Sequence, residues 1–169
     1  MLLREHSRKN TERILRWIGS DANRGNALLH HFFGNDPILL QRSSWAVGIL
    51  GARAPKLFTP HLSAIARRVV QPGLHPAVQR NGLRVFQYCE IPKRMRGSLY
   101  NMSAELLRSP ETAIAAKAFA ITILSRIAEM EPDLVPETRW IVEPLTEHPS
   151  AGVRSRARRA LHHLNKRGK

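Results

Sequence analysis

The side chains best placed to do chemistry in this sequence are arginines. Arg154, Arg156, Arg158 and Arg159, followed by Lys166, Arg167 and Lys169, put seven cations and no carboxylate into the segment from His148 onward. A guanidinium fork matches the two oxygens of a carboxylate or phosphate, so the chemistry implied is recognition of an anion rather than bond-making. Part of the cluster also has a plain structural reading, because cations in the last turns of a helix are favoured by its dipole. A second set, Arg80 and Arg84, lies in the stretch from Pro37 to Cys89, which holds no Asp or Glu. Residues 105–147 reverse the sign, with eight acids against Arg108, Lys117, Arg126 and Arg139. Over the 169 residues, 27 Lys and Arg face 13 Asp and Glu, a formal charge of +14. That excess favours an acidic protein or peptide partner. Nucleic acid is the alternative, since its affinity grows with the number of phosphates neutralised.

Catalytic and metal-binding patterns find little to stand on. His30-His31 and His162-His163 are adjacent pairs on helices, and neighbours diverge by about 100° around a helix axis, the wrong geometry for a shared metal. His75 and His148 occupy equivalent turns. The sequence has no Gly-rich phosphate loop, nucleophile elbow or HExxH, and its aspartates, Asp21, Asp36 and Asp133, fall in turns. The reading is a non-enzyme with no cofactor and no metal. The lone Cys89 sits in an apolar helical pattern and reads as a buried thiol. Trp17, Trp45 and Trp140 lie in apolar stripes and are expected in the core. Residues 1–6 have no apolar leader core, and no stretch reaches the roughly 18 apolar residues of a membrane span, so the expected compartment is the cytoplasm.

The elements that must hold these side chains are helices. Asp36-Pro37, His75-Pro76, Ser109-Pro110 and His148-Pro149 recur at intervals of 34 to 39 residues, a period of helical repeats. Proline suits the first turn of a helix and Asp or Ser before it caps free amides, so each dipeptide is expected to open a helix. Behind three of them, apolar or small residues fall at relative positions 0, 4, 7, 8 and 11: Val78, Gly82, Val85, Phe86 and Cys89; Ala116, Ala120, Ile123, Leu124 and Ile127; Val153, Ala157, Ala160, Leu161 and Leu164. These positions share one helical face. The first copy, Ile38, Trp45, Ala46, Ile49 and Leu50, has Arg42 at the second position and is read as shifted in register. An amphipathic segment precedes each of these helices, and another, with Ile14, Leu15, Trp17 and Ile18, precedes them all. No strand-like alternation is present. The class is all-α, with nine helices expected.

Leu134-Val135-Pro136, Ile141 and Leu145, then Pro149, Val153-Arg154, Ala157, Ala160-Leu161 and Leu164, resemble a HEAT repeat. Similar spacing extends the resemblance over residues 22–168, and the third and fourth units are similar to small bacterial one-domain HEAT-like proteins. The resemblance implies a single-domain α-solenoid over residues 1–169: a capping helix at 7–20, four helix pairs at 22–54, 55–91, 92–132 and 133–168, and loose ends at 1–6 and 166–169. It implies that the second helix of each pair lines the partner-binding surface. Arg80, Arg84 and Arg159 are accordingly expected on that surface, and with Arg154, Arg156 and Arg158 of the dense basic cluster they are the expected anion-binding residues. For Arg42 and Arg154 the resemblance offers a competing role, an internal basic residue tied to neighbouring loops. Basic HEAT-like DNA glycosylases of the alkylation repair family use groove tryptophans and an aspartate; Trp140 followed by Glu143 is a distant echo of that arrangement.

Overall fold

Asp36 accepts hydrogen bonds from the backbone amides of Ile38 and Leu39, both at 2.9 Å, with Pro37 in the first helical turn. His75 does the same work through Nδ1, which accepts from Ala77 N–H at 3.1 Å ahead of Pro76. These caps open two of nine α-helices in a computed structural model that describes residues 1–167, with side chains through Lys166. Among the described residues there is no strand.

The chain divides into two compact units, Met1–Glu90 and the segment from Ile91 onward. The first contains α1 (Arg8–Ile18), α2 (Ala22–Phe33), α3 (Pro37–Arg53), a 3-10 segment (Pro55–His61), α4 (Leu62–Val69) and α5 (Pro76–Val85). Here α3 is central, packing on α1, α2 and α5, while α4 packs on α5. Phe32, Leu50, Phe58, Ile65, Val78 and Phe86 form its buried core. Small residues set the helix spacing. A Cβ on Gly48 would lie 2.7 Å from Asn81 Oδ1, and one on Gly82 would lie 2.4 Å from Val69 Cγ1, so α5 can approach α3 and α4 this closely only without those side chains.

The second unit contains α6 (Lys93–Arg108), α7 (Ile114–Met130), a 3-10 turn (Pro132–Leu134), α8 (Val135–Val142), a 3-10 segment (Glu143–Glu147) and α9 (Ala151–Arg167). Helix α7 packs against α6, α8 and α9. Its apolar face, Ala116, Ala120, Ile123, Leu124 and Ile127, is fully buried, as are Val153 and Ala157 of α9. Polar groups inside are paired: Tyr100 Oη and Thr138 Oγ1 lie 3.0 Å apart, and burial raises the Tyr100 hydroxyl above its ordinary pKa. Arg96 pairs with Glu131 at 2.9 Å.

Several expectations need correction. Pro110 and Pro149 open no helix. Ser109 and His148 adopt extended ψ values of 125° and 141°, as residues before proline prefer, which ends the preceding element. The next helices then start at Ile114 and Ala151. In α3 the buried positions include Leu40, Ser43, Ser44, Ala46, Val47 and Leu50; of the expected stripe Ala46 and Leu50 are buried, Trp45 and Ile49 are half-buried and Ile38 is 52% exposed, so the inward face is shifted. The tryptophans are not core residues. Trp140 is 73% exposed and Trp17 44%, and Trp45 is half-buried with its ring beside that of His6. On α8 the inward residues are Thr138 and Val142, which turns Trp140, two positions from each, to the outside.

Residues 1–6, expected to be loose, are hydrogen-bonded: Asn10 Nδ2 donates to the carbonyls of Met1 and Glu5, and Arg42 donates to that of Leu2. At the other end, Lys166 and Arg167 are helical, and residues 168 and 169 lie outside the described residues. Cys89 is buried, with Sγ 3.4 Å from the Pro55 carbonyl oxygen.

Candidate anion-binding cleft

Helices α7 and α9 pack together and leave an open cleft of about 300 Å³ along their contact. Ser125 and Ala160, both small and nearly buried, form part of its lining. Thr122, Arg126 and Glu129 border it from α7, and Arg156, Arg159 and His163 from α9. Arg156 is held across the cleft, its Nη1 donating to Thr122 Oγ1 at 2.8 Å, while the Thr122 hydroxyl donates to the Ala118 carbonyl at 3.2 Å. The threonine proton is thereby committed to the backbone, and its free lone pair receives the guanidinium. Among the described residues that line it are three guanidiniums, one imidazole and one carboxylate, Glu129. Among the described residues, no group of three His, Cys, Asp or Glu side chains gathers to hold a metal.

The expected site residues have separate fates. Arg156 and Arg159 meet in the cleft. Arg154 does not join them: its Nη1 donates to the carbonyls of His148 and Pro149, at 2.8 and 2.7 Å, which fixes the turn leading into its own helix. The same turn is braced by His148 Nδ1, which accepts from Ser150 N–H at 3.0 Å. Arg158 is exposed and leans toward Thr146, its Nη2 3.5 Å from that carbonyl. In the first unit, Arg80 borders a smaller hollow with His6, Gln41, Trp45, Ala77 and Asn81, and Arg84 is half-buried farther along α5. Arg42 is tied to the N-terminal segment through Leu2, as the loop-tying role implied. Trp140 and Glu143 are both exposed, and neither borders the α7–α9 cleft.

Six lining residues were not expected as site residues, Thr122, Ser125, Arg126, Glu129, Ala160 and His163, and three of them, Thr122, Arg126 and His163, share a pattern. A signal for them existed. Counting from Ala116 and Val153, Thr122 and Arg159 both stand at position 6, and Arg126 and His163 both at position 10. Equivalent positions on neighbouring repeat helices face the same way, so polar residues repeating at 6 and 10 mark a shared stripe.

A model of the HEAT repeat domain matches residues 1–164. The chain belongs to the HEAT repeat family. This agrees with the all-helical architecture and with stacked helix pairs, and it points to a helical-repeat module for protein interaction. Neither the curated proteins nor the solved structures include a match to the chain. The narrower likeness to small bacterial one-domain proteins therefore has no support. No helix among the described residues is long and apolar enough to cross a membrane.

Proposed function

We propose that this HEAT repeat chain is a non-catalytic, single-domain cytoplasmic binding or scaffold module that takes an acidic protein or peptide, with the α7–α9 cleft as its centre. The observation that carries this reading is the gathering of Arg126, Arg156, Arg159 and His163 in one cleft, with Arg156 aligned in advance by Thr122. A guanidinium fixed before the ligand arrives loses less side-chain freedom on binding, which raises affinity at equal contact. Arg158 extends the basic surface toward the turn, and Arg80 and Arg84 offer secondary contacts in the first unit. Arg154 is assigned to the turn instead.

The test uses a degenerate peptide pool rich in Glu and Asp, with binding followed by fluorescence anisotropy. Arg159→Glu should weaken it by about tenfold or more, the size expected for reversing a charge-assisted contact. Arg139→Glu, an exposed α8 substitution of equal charge change, should leave it within about twofold, as expected for a distant screened charge. Equal losses in both variants would reduce the effect to net charge and remove the cleft from the reading. The second reading, nucleic-acid binding, is favoured by the +14 charge. It predicts affinity that falls steeply and linearly in log salt.

A further inference from the structure

We propose that the α7–α9 cleft selects a phosphorylated serine or threonine side chain within the acidic partner. This rests on the acidic-partner reading and names the group that the cleft is built for. A carboxylate brings one charge and two oxygens, and a single guanidinium fork satisfies it. A phosphate monoester brings a charge of about −1.5 to −2 and three acceptor oxygens, so it can use donors from more than one guanidinium. The cleft brings three guanidiniums into one lining. Arg156 is fixed over α7 by Thr122, Arg159 follows one turn later on the same face, and Arg126 enters from the opposite helix.

The lining supports a compact, deeply charged head group. Ser125 and Ala160 are small enough to let it descend between the helices, and Ser125 adds a hydroxyl there.

The full chain is titrated with two degenerate peptide pools identical except for a central phosphoserine or a central glutamate, and with a single-stranded oligonucleotide. The phosphoserine pool should bind about tenfold more tightly than the glutamate pool, the margin expected when a second charge-assisted contact is added. Arg156→Lys, which keeps the charge and loses the fork, should cost the phosphoserine pool about tenfold and the glutamate pool less than about threefold. Arg139→Lys, on the exposed side of α8 and outside the cleft lining, should change neither. Thr122→Val keeps the volume and removes the acceptor that orients Arg156, and should move the phosphoserine pool in the same direction. It carries the test if Arg156→Lys lowers Tm.

Equal binding of the two pools would overturn phosphate selectivity while leaving the acidic-partner function standing. Binding of neither pool would overturn both. An oligonucleotide that binds as tightly as the phosphoserine pool would replace the peptide ligand with nucleic acid. Unchanged phosphoserine binding in both Arg156→Lys and Thr122→Val would remove the cleft as its site.

Discussion

Gly82 of α5 and Val69 of α4 approach so closely that a Cβ on the glycine would stand 2.4 Å from Val69 Cγ1. Val69 is fully buried and β-branched, so its methyl group cannot swing clear without moving other core atoms. The Phe32 ring, 3.3 Å from the same point, closes a second direction. Gly82→Ala is therefore expected to destabilise the protein by about 1–3 kcal/mol, as overpacking does, even though Ala is the better helix former. A urea melt that shows no loss would place the α4–α5 contact wider than described. The corresponding positions in the later repeats are Ala120 and Ala157, both fully buried, so a small residue is used at this point in each.

Tyr100 and Thr138 join α6 to α8 by a buried hydrogen bond. Tyr100→Phe leaves the Thr138 hydroxyl without this partner and should cost about 1–3 kcal/mol. Adding Thr138→Val removes the stranded group, so the double variant should lose less than the sum of the two single changes. A double-mutant cycle by chemical denaturation measures the coupling, and strict additivity would mean that the pair contributes nothing jointly.

Arg154 and Arg156, two residues apart, should respond oppositely to truncation. Arg154→Ala releases the His148 and Pro149 carbonyls and should lower stability by about 1–2 kcal/mol, the scale of hydrogen bonds to a charged group, with little effect on anion binding. Arg156→Ala should weaken binding more than it lowers Tm. Parallel melting and binding curves check both, and a common loss of affinity would return Arg154 to the site.

Trp140 is expected to be nearly neutral for folding. At 73% exposure it has little packing to lose, and Trp140→Ala should change stability by no more than about 0.5 kcal/mol. The same substitution should remove the most iodide-accessible component of tryptophan fluorescence, because Trp17 and Trp45 are more covered. A large drop in Tm would show that the ring packs against something in solution.

The Glu12 carboxyl is held below its ordinary pKa of 4.5, chiefly by hydrogen bonding from Arg53, at 2.7 Å to each carboxylate oxygen. A carboxyl depressed in the folded state contributes stability above its unfolded pKa and loses it as pH falls through the folded one. The stability difference between the parent protein and Glu12→Gln should thus be constant from neutral pH down to about 5 and shrink below 4.5. Because both groups are exposed, the difference should also fall with added salt. A gap that stays constant to pH 2 would leave the ion pair with no part in acid stability.

The periodic apolar positions 0, 4, 7, 8 and 11 were enough to establish an all-helical chain and the buried face of α7, because helical periodicity is a local property that one strand of sequence carries whole; in α9 Leu161 is only half-buried, and α5 ends at Val85, so Phe86 and Cys89 are buried beyond the helix. The caps at Asp36 and His75 were legible for the same reason: donor and acceptor are two or three residues apart. The outward turn of Trp140 was not, since in a short helix an apolar residue beside Ile141 reads as core until Thr138 and Val142 are seen to take the inner face. Nor were the separate roles of Arg154 and Arg156. Those depend on what each guanidinium reaches, its own turn in one case and Thr122, 34 residues earlier, in the other.

That separation has a physical origin. Tyr100 and Thr138 are 38 residues apart, Arg96 and Glu131 are 35, and Arg68 and the Gly34 carbonyl are 34. Each is close to one repeat period, because stacking brings comparable stations of successive helix pairs into contact. The sequence alone determined the all-helical class, the buried face of α7 and the sign of the charge. Only the tertiary structure decided which charges meet, because which side chains touch across two helices depends on their crossing and spacing, set in the first unit by residues as small as Gly48 and Gly82.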